Sequence, residues 1–104
     1  MGSEVQKTRP CIVVSIGRVA HLDQRIVVPM TSLAPRFERQ VNKLRIAASV
    51  VNGLSSDSAA DILQVRAVAM LRFGSRLGIL EAALVVEVVE RLAFLTGVRP
   101  ERRR

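Results

Sequence analysis

CIVVSI, residues 11–16, and RIVVPM, residues 25–30, decide the fold class. Each run is short, rich in β-branched residues and bounded by turn or charged residues, the first by Pro10 and Gly17, so each reads as a buried strand rather than a helix. Between them, residues 17–24 supply Gly, His, Asp and Gln, which makes a hairpin-type loop. Pro29 has no N–H to give a ladder and belongs at a strand edge or a bulge.

Working outward, LAPRFERQ (33–40) is polar and basic, and Pro35 argues against an ordinary helix, so it reads as an exposed loop. QVNKLRIA (40–47) alternates imperfectly and predicts a third strand. Residues 49–58 carry Asn52-Gly53 and a Ser/Asp cluster, which is turn chemistry. DILQVRAV (61–68) alternates again, Ile62, Gln64, Arg66 and Val68 against Leu63, Val65 and Ala67, and predicts a fourth strand with one apolar face. From Glu81 the period changes: Leu84, Val85, Val88, Val89, Leu92 and Leu95 fall at helical spacing, opposite a polar stripe of Glu87, Glu90 and Arg91. Gly97 and Pro100 stop the helix. Its wide apolar face either packs on the chain's own sheet or offers a surface for self-association. The expectation is a mainly β domain over residues 1–98 with a C-terminal helix, followed by a basic tail, residues 99–104.

The composition narrows the function classes. The chain has 104 residues, 16 Lys and Arg against 9 Asp and Glu, and a formal net charge of +7. One compact domain is the expectation at this length. One Cys and one His exclude an intrachain disulfide scaffold and a zinc site built from three or four Cys and His ligands. No signal peptide or membrane-spanning run opens or interrupts the sequence, so a cytoplasmic protein with a reduced Cys11 is expected. Residues 1–50 hold eight basic and three acidic side chains, whereas residues 81–98 hold one and three. The positive charge thus belongs to the first half and the tail, and it suits a polyanionic partner. With three Phe and no Tyr or Trp, such a partner is held by charge and shape more than by stacking.

The ordered motifs carry more information than the periodicity. GSEVQKTRPCIVVS (2–15) followed by IVVPMTS (26–32), then SDSAADILQVRAV with its S-x-x-D-x-x-Q-V-R-A-V core (58–68), RLGIL (76–80) and an apolar helix ending in Leu-x-Gly, resembles the MazF/PemK/Kid family of toxin endoribonucleases over nearly the whole chain. The resemblance implies an SH3-like small barrel, a homodimer, and metal-independent cleavage of single-stranded RNA at short sequences with no cofactor. It also implies a cognate antitoxin as partner, with a DNA operator bound only through the antitoxin complex, and no membrane. Family members carry a further strand ahead of the Gly-Ser-Glu loop. Here Met1 directly precedes that loop, so the barrel is expected to be one strand short.

The resemblance assigns Arg9 and Thr31 as catalytic residues, and the chemistry suits them. When a ribose 2′-OH attacks its own phosphate, one group takes a proton, another gives one to the leaving 5′-oxygen, and a cation steadies the phosphorane. Pro10 biases Arg9 toward an extended backbone, from which its fork of donors can grip phosphate. Glu4, in the Gly-Ser-Glu loop, is either a proton-transfer group or a solvated carboxylate. Lys7, Arg18, Arg25, Arg36 and Arg39 are candidate RNA-binding cations or ordinary surface charges. His21 reads as a surface imidazole, Cys11 as a small core residue, and Gln64 and Arg66 as structural or dimer contacts. Some relatives have an acid where Leu63 or Ala69 stands, which leaves catalysis to Arg9, Thr31 and Glu4. The competing readings are a non-catalytic, truncated barrel that binds an antitoxin or nucleic acid, a toxin aimed at a protein target, and a generic basic nucleic-acid binder.

Overall fold

The computed structural model describes residues 9–98. The chain runs through β1 (Cys11–Val13), β2 (Gln24–Ser32), β3 (Lys43–Ile46), β4 (Ser58–Asp61), β5 (Arg66–Ala69) and one helix, α1 (Ala82–Leu95). Short 3-10 turns lie at Gly17–Val19, Pro35–Arg39, Ile62–Gln64 and Met70–Arg72. All strand pairs are antiparallel, in the order β1-β2-β4-β3, with β5 also on β2. The expected mainly β domain with a C-terminal helix is what the chain forms.

β2 organises the sheet because it is long enough to serve three partners. Val27 pairs with Val13 of β1 and with Arg66 of β5, so these two strands lie on opposite edges. Met30 pairs with Ala60 of β4 while its N–H donates to the carbonyl of Pro10, 2.9 Å away, which puts β4 on the same edge as β5. Pro29 falls between the two stretches, where that edge has no aligned partner, as a residue without an N–H requires.

The same junction explains where the expected strand over residues 61–68 is corrected. If β4 simply continued past Ala60↔Met30, residue 63 would oppose Val27; instead Arg66 does, three residues later. The extra residues form the Ile62–Gln64 turn, closed by Val65 N–H to Ile62 O at 3.2 Å. A partner strand broken by proline cannot hold one continuous ladder, so the chain turns a corner and drops Ile62 fully into the core while Leu63 is left 60% exposed. Two further boundaries move. β4 begins at Ser58, inside the stretch read as a turn, and β3 begins at Lys43 rather than 40. The 33–40 loop holds a 3-10 turn, with Pro35 as its first residue.

The core gathers Ile12, Val28, Met30, Leu44, Ile46, Ala60, Ile62 and Val88. Leu84, Val85, Leu92 and Leu95 of α1 pack against it, so the helix uses most of its apolar face on its own sheet. Full burial of a side chain such as Ile46 or Val88 stabilises by about 1.5–3 kcal/mol, which compensates the weak helix propensity of the valines. Arg91 ties the helix to the sheet edge. Its guanidinium donates to the carbonyls of Lys43 (3.0 Å) and Val41 (3.3 Å) and to Glu87 Oε2 (2.9 Å). At the Asn52-Gly53 turn, Asn52 Oδ1 accepts the N–H groups of Ser49 and Leu54, both at 3.0 Å. Gly53 has φ +72°, and a Cβ there would stand 2.1 Å from the Leu77 carbonyl oxygen, so no other residue fits.

Candidate nucleic-acid interface

Side chains alternate across a strand, so the register that builds the core also sorts the opposite face. Met30, Ala60 and Leu44 form a row toward the core; the next row, on the other face, is Thr31, Ala59 and Arg45. The Met30–Pro10 hydrogen bond continues the β1–β2 register one residue beyond the strand, and the step after it sets Arg9 across from Thr31. Because Pro10 and Met30 share a hydrogen bond, the Arg9–Thr31 position is a non-hydrogen-bonded one, in which side chains stand closest. Arg9 is exposed and Thr31 half-buried. One row of the sheet therefore carries a guanidinium, a hydroxyl, a bare methyl and a second guanidinium.

Arg45 at the end of this row is a residue that sequence reasoning did not single out. The signal was the alternation of KLRI: with Leu44 and Ile46 buried, Lys43 and Arg45 must share the outer face. Arg45 is held by Asp57, its Nη2 donating to Oδ2 at 2.7 Å, while Oδ1 accepts the N–H of Ala48 at 2.8 Å. The bond to the Ala48 amide, followed by the bond to Arg45, holds the Asp57 carboxyl below its ordinary value of 3.8. Asp57 is therefore a fixed anion at neutral pH and orients Arg45 rather than moving protons.

The shift in Asp57 has a sign that can be checked. A carboxyl whose native pKa is depressed contributes stability above its unfolded value, and that contribution is lost as pH falls through the lower native value. Asp57→Asn is expected to melt below the unsubstituted protein at neutral pH, and the gap should close below 3.8 as the native carboxyl is protonated. Thermal melts across that range test this. A gap that stays constant down to pH about 2 would show that the bonds do not depend on the charge.

Arg66 adds a third cation to the same face, level with Val13 and Val27 and exposed. It is close enough to Cys11 to pull the thiol pKa down, but burial, the larger effect, raises it above 9.0. Cys11 is thus a protonated, half-buried thiol, which suits neither a nucleophile nor a base at neutral pH.

The other residues singled out from the sequence are dispersed. Arg25 is occupied: its guanidinium donates to the carbonyls of Ala20 (2.9 Å), Leu22 (2.8 Å) and Gln24 (2.8 Å), which knits the β1–β2 loop. Arg18 and His21 are exposed in that loop. Arg36 and Arg39 are exposed on the Pro35–Arg39 turn, with the Arg36 guanidinium 4.9 Å from the centre of the Phe37 ring. Gln64 is exposed at the corner turn. Glu4, Lys7 and the tail of residues 99–104 lie outside the described residues.

Comparison with known proteins agrees with this geometry. A family model described as PemK-like, MazF-like toxin of type II toxin-antitoxin system matches residues 1–96. Among solved structures, the Mycobacterium tuberculosis toxin MazF-mt6 is similar, with TM-score 0.74 and 21% identity over 91% of this chain and 92% of that one. The MazE-MazF structure from Deinococcus radiodurans is similar too, with TM-score 0.69 and 21% identity over 86% of this chain and 82% of that one. No curated protein sequence matches significantly.

Proposed function

Because this chain belongs to the PemK-like, MazF-like toxins of type II toxin-antitoxin systems, we propose that it is a metal-independent, sequence-specific endoribonuclease of single-stranded mRNA. The observation that carries the reading is the register that sets Arg9 across from Thr31 at the open end of β1 and β2. The reacting phosphate sits between them. The ribose 2′-oxygen attacks the adjacent phosphorus, the bond to the 5′-oxygen breaks, and the products are a 2′,3′-cyclic phosphate and a 5′-hydroxyl. Arg9 offers paired N–H donors to the phosphorane oxygens, where negative charge builds up, and the Thr31 hydroxyl donates to the same group. Glu4 takes the 2′-OH proton or returns one to the leaving oxygen.

The partners follow from the same premise. A cognate antitoxin neutralises the toxin in the cytoplasm, and the MazE-MazF complex among the similar structures supports that pairing. A DNA operator is engaged only through the antitoxin complex. The toxin acts as a homodimer. In support, Val50 (98% exposed), Val51, Leu77 and Ile79 leave apolar surface on neighbouring segments that are joined by Ile79 N–H to Val51 O at 3.0 Å.

The test is incubation of the purified chain with single-stranded RNA in excess EDTA, with mass spectrometry of the fragment ends. Cleavage at a short recurring sequence with cyclic-phosphate ends is expected. Intact RNA, or cleavage that disappears with EDTA, contradicts the reading.

A further inference from the structure

Beside the Arg9–Thr31 pair lies a cleft of about 400 Å³. One wall comes from the arm after β2, with Leu33, Pro35 and Phe37; the other is β3, with Lys43, Leu44 and Arg45. Along extended backbone, Leu33 is about 7 Å beyond Thr31, and Arg45 is two strand spacings, about 10 Å, across the sheet from it. The cleft is therefore about one nucleotide from where a scissile phosphate would sit. Its walls are apolar and its rim is cationic, with Lys43, Arg45 and Arg91 against the single carboxylate of Glu38.

We propose that this cleft is the subsite for a nucleobase next to the cleaved phosphodiester, with Arg45 gripping that nucleotide's phosphate. The inference rests on the endoribonuclease reading above. A planar apolar body carrying a negative charge matches the lining, whereas an uncharged apolar ligand would leave the cations unused. The rim cations are held in place. The Lys43 ammonium sits 4.5 Å from the centre of the Phe37 ring and 3.6 Å from Asp61, and Asp57 holds one edge of the Arg45 fork. A guanidinium has five N–H donors, and Asp57 engages only Nη2, which leaves donors for a phosphate. Asp57 is a positioning residue here.

The test compares the full chain with Leu33→Glu and Arg45→Gln, both at solvent-exposed positions that the fold tolerates. Two readouts are taken: anisotropy with a randomised 2′-O-methyl RNA pool, which cannot be cut by 2′-OH attack, and end-sequencing of a randomised RNA pool after digestion in EDTA. Both variants are expected to raise the Kd for the uncuttable pool about tenfold or more. Both should also flatten nucleotide preference at one position flanking the cut while leaving the other positions unchanged. If the unsubstituted protein cuts and neither variant changes Kd or preference, the subsite is overturned. If it binds the uncuttable pool without cutting RNA, the nuclease reading fails, and the subsite is supported by weakened binding in the variants or overturned by unchanged binding. An acidic peptide that displaces the pool, and whose own binding is lost in both variants, would overturn the assignment in favour of a protein occupant.

Discussion

Arg9→Ala is expected to abolish RNA cleavage while the protein melts at the same temperature. Arg9 is exposed, ahead of β1, so its truncation removes no core packing. Its contribution is confined to the transition state, where two negative charges gather on a phosphorus that Thr31 can meet with only one hydroxyl donor. Removing one positioned donor from such a site costs about 10²–10³ in rate, and removing the charge as well should take cleavage below detection. Arg9→Lys keeps the charge but loses the paired donors, so it should restore only part of the rate. Rates on a defined oligonucleotide, with a thermal melt of each variant, check this. Full activity in Arg9→Ala would remove Arg9 from the site.

The largest effect on stability is expected at Ile62. Its side chain is fully buried at the corner between β4 and β5, in a cluster that includes Val88 of α1. Ile62→Ala leaves a cavity under three elements at once, and a cost of about 2–5 kcal/mol follows. Much of the stability of a domain this small would go with it. The neighbouring Leu63 is 60% exposed, and Leu63→Ala should change stability by less than about 0.5 kcal/mol. Denaturant unfolding of the two variants separates the corner from the continuous strand that simple alternation suggests. Equal losses would show that the corner is misplaced.

The contrast between these neighbours shows where the sequence was legible. β1, β2 and α1 were readable because each carries its own pattern, a β-branched run or a helical repeat ending at Gly97. β4 carries none. Ala59 and Ala60 have too little side chain to signal a strand, and they are wholly buried because β4 lies between β2 and β3. The corner at Ile62 was hidden for a different reason: it depends on Pro29, more than thirty residues earlier, which interrupts the edge that β4 and β5 share. Local alternation cannot report a break in a distant partner.

The candidate site divides in the same way. Arg9 and Thr31 came from motifs, and the register then put them side by side. The Arg45–Asp57 pair joins a strand to a turn and became visible only once β3 and β4 were aligned. Arg25 shows the reverse. Counted as a cation it suited RNA, but three backbone carbonyls already engage its guanidinium. Charge can be counted in a sequence, whereas the donors a guanidinium has left to offer depend on the fold.

The central claim is that RNA itself supplies the attacking oxygen at the Arg9–Thr31 site. The most direct measurement uses one RNA oligonucleotide containing the cleavage sequence and its twin with a single 2′-deoxy nucleotide on the 5′ side of the cut, both incubated with the chain in EDTA. The all-ribose strand should be cut there to a cyclic phosphate, and the twin should stay intact at that bond. Cleavage of both strands at the same rate would contradict the account.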